Sequence, residues 1–147
     1  MQSMQRKSSG FSMIELVVAM VITAILAAIA IPAYSNYVRQ SRRTDAKTAL
    51  LDMASLEERY FSVNNAYSAN PADLGYAAYP ATVGSGYYTV AAPVVVAATT
   101  TAPATFTLTA NVIATTDQAK DTQCQQFQLT SAGLQTATPD PNGSCWH

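Results

Sequence analysis

From Leu16 to Ala33 the chain reads LVVAMVITAILAAIAIPA, a run whose one polar side chain is Thr23. Phe11 to Ile14 and Tyr34 to Val38 extend it on either side, so residues 11–38 carry a single charge, Glu15. Crossing roughly 30 Å of hydrocarbon takes about 20 apolar residues, and the run therefore predicts a membrane-spanning helix. It is longer than the roughly 7–15 residues of a secretory h-region, and no A-x-A-like cleavage site clearly terminates it. A buried core helix would also be apolar, but such helices rarely lack a polar face over so many turns.

Past Val38 the pattern turns amphipathic. Ala46, Ala49, Leu50, Met53, Tyr60 and Phe61 recur near helical spacing, while Lys47, Thr48, Asp52, Ser55 and Arg59 fall on other faces. Glu57 interrupts the apolar stripe near its end. No glycine occurs between Phe11 and Leu74, so one helix from about Phe11 to Val63 is expected, about 80 Å long at 1.5 Å per residue. Pro32 removes an amide and crowds the carbonyl of Ala28, which predicts a kink or a local loosening. Asn64 and Asn65 punctuate the helix, and Pro71 prevents its resumption.

Residues 66–85 read as a loop, with Asn70-Pro71, Gly75, Pro80 and Gly84 as turn signals. Strands rich in Val, Thr and aromatics are expected at Tyr87–Val96, Thr105–Ile113 and Gln125–Thr130, and a short one at Leu134–Ala137. Pro93 marks an edge or a bulge, and residues 97–104 connect two strands. One long helix laid on an antiparallel sheet is an α+β unit. The chain thus divides into an apolar half-helix (11–38), an amphipathic half-helix (39–64) and a β-sheet head (65–147).

Composition narrows the chemistry. Charged residues make up 12% of the 147, about half the usual share of roughly 25%, which argues against a disordered chain. The net charge of −1 provides no global basic field for nucleic acid. From Ala66 onward Lys120 is the only cation, against Asp73, Asp117, Asp121 and Asp140, a balance poorly suited to binding phosphates. Tyr76, Tyr79, Tyr87 and Tyr88 could nonetheless stack on bases. One histidine (His147) and two cysteines leave no ligand set for a metal, and no catalytic constellation or phosphate-cradling glycine motif occurs. A non-enzyme without cofactor is expected.

Charge near the span gives a conflict over orientation. Arg6 and Lys7 precede it; Arg39, Arg42, Arg43 and Lys47 follow it, and would face the cytoplasm by the positive-inside rule. The two cysteines point the other way, since a structural disulfide needs an oxidising compartment. The basic group after the span is read first as an anchor for lipid headgroups, then as a contact for acidic faces of other subunits, and last as a DNA contact.

Residues 6–15, RKSSGFSMIE, resemble the class III leader of type IV pilins and pseudopilins. The resemblance implies a leader of residues 1–10, cut between Gly10 and Phe11 by a membrane peptidase that also N-methylates Phe11. It further implies a cytoplasmic N-terminus and a periplasmic head, and so resolves the conflict against the four later basic residues. Ser12 to Glu15 also match a capping box. A cap alone does not account for a carboxylate this near the membrane core, where ionisable groups usually signal function. In the family that glutamate pairs with the N-terminal amine of a neighbouring subunit. A proline at the place of Pro32 is also common there, where the helix loosens on assembly.

In an exported head Cys124 and Cys145 are expected to pair, and Trp146 to pack beside the disulfide. The order Thr109-Ala110-Asn111, Asp121 to Cys124, Leu129-Thr130, Gly133 and Cys145-Trp146 resembles PilE-type minor pilins. The implied function is a structural, minor pilus subunit, stored in the inner membrane and assembled through its helix into a surface filament. Adhesion, twitching motility and assembly priming are its possible uses. Implied partners are other pilin subunits, the prepilin peptidase and N-methyltransferase, the pilus assembly machinery and membrane lipid. A pilin-like DNA-uptake receptor is the alternative, followed by a secretion pseudopilin.

Overall fold

Helix α1 runs from Met13 to Asn64 without interruption at Pro32 in the computed structural model, which describes residues 11–147. Between Tyr37 and Val38 the chain divides into two compact units. In the first, the α1 side chains are almost all exposed, including Leu16, Val17, Ile22, Leu26 and Ile29. An 18-residue window there has a mean hydropathy of 2.7, long and apolar enough to cross a membrane. Its polar residue Thr23 donates its hydroxyl to the carbonyl of Ala19 at 2.7 Å, satisfying itself within the helix as hydrocarbon would require.

The second unit begins on the remaining turns of α1, which bury Ala46, Ala49, Leu50 and Met53. The helix ends as its asparagines suggest. Asn65 takes a left-handed φ of 54° and donates its N–H to the carbonyl of Phe61 at 2.8 Å, an αL cap for which Asn is one of the few suitable residues. A 3-10 turn, Pro71–Leu74, follows, capped by the Asn70 side chain on the Ala72 amide.

Six antiparallel strands form the sheet: β1 (Ala81–Val83), β2 (Tyr88–Val90), β3 (Val94–Val96), β4 (Thr105–Val112), β5 (Gln126–Thr130) and β6 (Gln135–Thr138). Their order is β1-β2-β4-β5-β6, with β3 also paired to β4. The single strand expected at Tyr87–Val96 is in fact two. β2 pairs with the end of β4 (Tyr88↔Val112) and β3 with its beginning (Val94↔Thr107). Pro93 lies in the break between them, where it cannot donate to a ladder. β1 falls in the stretch that the sequence reads as loop; three residues between Pro80 and Gly84 are too few to show a period.

The β1–β2 turn is held to the helix. Asp45 accepts the Ser85 N–H at 2.9 Å, and a Cβ on Gly84 (φ +55°) would stand 2.5 Å from Asp45 Cβ. Glycine is required there by both conformation and space.

Alternate residues of β4 and β5 face inward: Phe106, Leu108 and Ala110, then Phe127 and Leu129. They meet Leu50, Met53, Tyr88 and Val90 in one core. Cys124 and Cys145 are joined as expected, with Cα atoms 5.7 Å apart and both residues buried. The following Trp146 packs edge-on against Phe127 at 5.7 Å and donates its indole N–H to Thr136 O of β6 at 2.7 Å. The disulfide therefore secures a chain end that covers the outer strand. Cys124→Ser should lower head stability by about 3 kcal/mol, from the freed loop entropy of the unfolded chain. Thermal melts of the full chain in detergent, with and without reductant, check this; identical melts would exclude it.

Candidate functional site

The first candidate site is the start of α1. Gly10 lies outside the described residues. Phe11 precedes the helix and is 78% exposed. The carbonyl of Ser12 accepts the N–H groups of Glu15 (3.1 Å) and Leu16 (3.2 Å), closing the first turn. Glu15 stands in that turn, exposed among the exposed apolar side chains of Ile14, Leu16 and Val18. A carboxylate there favours the helix dipole. It is also the one charged side chain among residues 11–38.

The second candidate is the basic group after the apolar run, and the structure divides it. Arg43 is buried and forks onto Asp121, with Nε 2.7 Å from Oδ2 and Nη2 2.9 Å from Oδ1. It is unavailable to headgroups or phosphates, contrary to the reading of the four basics as one surface. The helical spacing of Arg43, Ala46 and Leu50 could have shown this, because it sets the arginine on the core-facing stripe. Lys47 is half-buried, and its amine is pushed down by that burial and by the charge of Arg43.

Around the ion pair lies a polar core. Gln118 Nε2 is 3.1 Å from three acceptors: Arg39 O, the Tyr88 hydroxyl and Asp121 Oδ2. Gln118 sits on a second 3-10 turn, Asp117–Lys120, and is fully buried. Burial pushes the Tyr88 phenol up to about 12. The network fastens helix, sheet and turn together, so Arg43, Gln118 and Asp121 are structural rather than chemical groups.

Arg42 and Lys120 remain toward solvent. The Arg42 guanidinium lies over the Tyr87 ring, 3.7 Å from its centroid. Lys120 Nζ pairs with Asp117 at 2.8 Å; that hydrogen bond and charge, with Arg42 and Arg39 behind them, hold the Asp117 carboxyl below its usual range. Among the described residues no group of three His, Cys, Asp or Glu could hold a metal.

A family model described as "Type IV minor pilin ComP, DNA uptake sequence receptor" matches residues 32–128. A second, described as "Prokaryotic N-terminal methylation motif", matches residues 5–31. The chain is 35% identical over 71 residues to the type IV major pilin protein PilA of Myxococcus xanthus, covering 48% of this chain and 32% of that protein. It is 36% identical over 81 residues to the type IV wide pilus major component PilA4 of Thermus thermophilus, covering 53% and 62%. With prepilin peptidase-dependent protein D of Escherichia coli it shares 56% over 39 residues, 26% of this chain and 27% of that one. Each match spans less than two thirds of the relative's own length. The methylation motif falls on the apolar start of α1, and the first model covers most of the helix-and-sheet unit; the chain belongs to the type IV pilin family that this model describes.

Proposed function

We propose that the protein is a minor subunit of a type IV pilus, held in the inner membrane by residues 11–38 and drawn into a filament through the same residues. One observation carries this reading. A single 52-residue helix bears a folded sheet on its second part, while its first part exposes an apolar surface. Water does not tolerate so much exposed apolar area, so lipid or copies of the helix must cover it. Glu15 then meets the Phe11 amine of a neighbour, and the head faces outward. Loosening at Pro32 belongs to the assembled state, where neighbouring helices can satisfy freed backbone groups. Recovery of the protein in sheared surface fibres, at a low ratio to another pilin, tests this; its confinement to membranes under piliating conditions would refute it.

Processing comes first. The prepilin peptidase removes residues 1–10, and Phe11 is then methylated. Gly10→Val should leave the intact precursor in the membrane, because a bulkier side chain blocks cleavage. Intact-mass measurement of the membrane-extracted protein reads the outcome, and a normal mature mass for the variant would refute the site.

A second reading, as a DNA receptor, is favoured by the likeness to the family of DNA uptake sequence receptors. Arg42 stacked on Tyr87 offers a cation beside an aromatic face, as single-strand binding sites use. Against it, Arg43 is committed to Asp121 and Lys120 to Asp117. Fluorescence anisotropy with labelled DNA separates the two functions: a filament subunit alone shows no salt-dependent binding, whereas a receptor loses affinity steeply with salt.

A further inference from the structure

Glu57 lies in the apolar stripe of α1 with its side chain fully buried. Its Oε2 accepts the backbone N–H of Ser68 at 3.0 Å. Its Oε1 has no hydrogen-bond partner among the described residues, and neither has the buried hydroxyl of Tyr79. Ser68 also donates its hydroxyl to Asp73 Oδ2 at 2.6 Å, so one residue links two carboxyl groups. The groups acting on Glu57 are Glu58 from the helix, Asp73 from the 3-10 turn and the Ser68 amide. The phenols of Tyr67 and Tyr79 feel its charge in return. Among the described residues, the charges that shift Glu57 are those of two acids, Glu58 and Asp73.

We propose that Glu57 is a proton-operated latch: protonated, it keeps the end of α1 packed on the segment around Ser68, and ionised, it loosens that segment, while Tyr67 and Leu74 hold the rest of the connection 65–80 in place. Burying a lone carboxylate among acids is costly, whereas the neutral acid escapes that desolvation cost and still accepts the Ser68 N–H, though more weakly than the carboxylate does. Desolvation accordingly raises its proton affinity above the ordinary glutamate range; Glu58 and Asp73 add to this, and the Ser68 N–H opposes it. The folded chain then holds a proton that the unfolded chain has lost. The latch is complete below the ordinary glutamate range and weakens as pH rises through the folded-state value. This inference is independent of filament assembly.

The test is native-state hydrogen exchange of the full chain in detergent across a pH series. Ser68 amide protection, corrected for intrinsic exchange, should fall by up to about tenfold per pH unit through the titration, while that of Leu108 in β4 stays level. Glu57→Gln keeps an acceptor for Ser68 but cannot ionise, so its Ser68 protection should be flat with pH. A flat wild-type profile, or an equal fall in Glu57→Gln, would overturn the latch. Should the variant not fold, the carboxyl ¹³C signal of wild-type Glu57 decides: titration above the ordinary glutamate range supports it, and titration within that range overturns it.

Discussion

Glu15→Gln should leave expression, membrane insertion and leader cleavage unchanged and remove most of the protein from sheared fibres. Glutamine serves as well as glutamate at the third position of a capping box, so helix initiation after Ser12 survives. What is lost is the negative charge. In an assembled bundle the Phe11 amine of a neighbour would then be buried with no counter-charge, and breaking a buried pair by removing one partner costs about 3–5 kcal/mol. At about 1.4 kcal/mol per factor of ten, such a subunit competes poorly for a place in the filament. Immunoblots of sheared fibres and membranes, normalised to total protein, measure the ratio. Wild-type incorporation of the variant would leave Glu15 as a helix cap.

Arg43→Met should destabilise the head by about 3–5 kcal/mol, although methionine retains much of the side-chain volume and helix propensity. Asp121 is 4% exposed and takes two of its hydrogen bonds from the Arg43 fork. Without the fork, its charge keeps only the Gln118 amide and the Gln123 N–H at 3.3 Å. An uncompensated buried charge accounts for the loss. Replacing both partners, Arg43→Met with Asp121→Leu, should recover much of the stability, since apolar residues of similar volume often substitute for a buried pair at little cost. Denaturant unfolding of the full chain in detergent, followed by Trp146 fluorescence, checks both. Equal stability of Arg43→Met and wild type would place the ion pair among those worth little.

The parts of the fold that follow from local pattern are legible in the sequence. The apolar run, the amphipathic turns after Val38 and the asparagine stop give α1 nearly to its ends. Enrichment in Val, Thr and aromatics locates β4 and β5, because such side chains suit a pleated, half-buried surface. The strand break at Pro93 is harder, since whether proline bends one strand or separates two depends on what β4 offers as a partner. β1 has no signal of its own; it exists because β2 and the turn at Gly84 present an edge to it.

The candidate site divides along the same line. Gly10, Phe11 and Glu15 are proposed from the leader-like motif RKSSGFSMIE, and Glu15 also stands out as the single charge in an apolar run. The roles of Arg43 and Glu57 are not. Both are charges on the apolar stripe, and the partner of Arg43 lies 78 residues away in sequence. A chain by itself determines where a helix can span lipid and where a strand can alternate, because those depend on spacing within a few turns. Only the tertiary structure decides which buried charge is paired and which must take up a proton. That depends on distances between segments, and in a low dielectric a counter-charge at hydrogen-bond distance makes the difference.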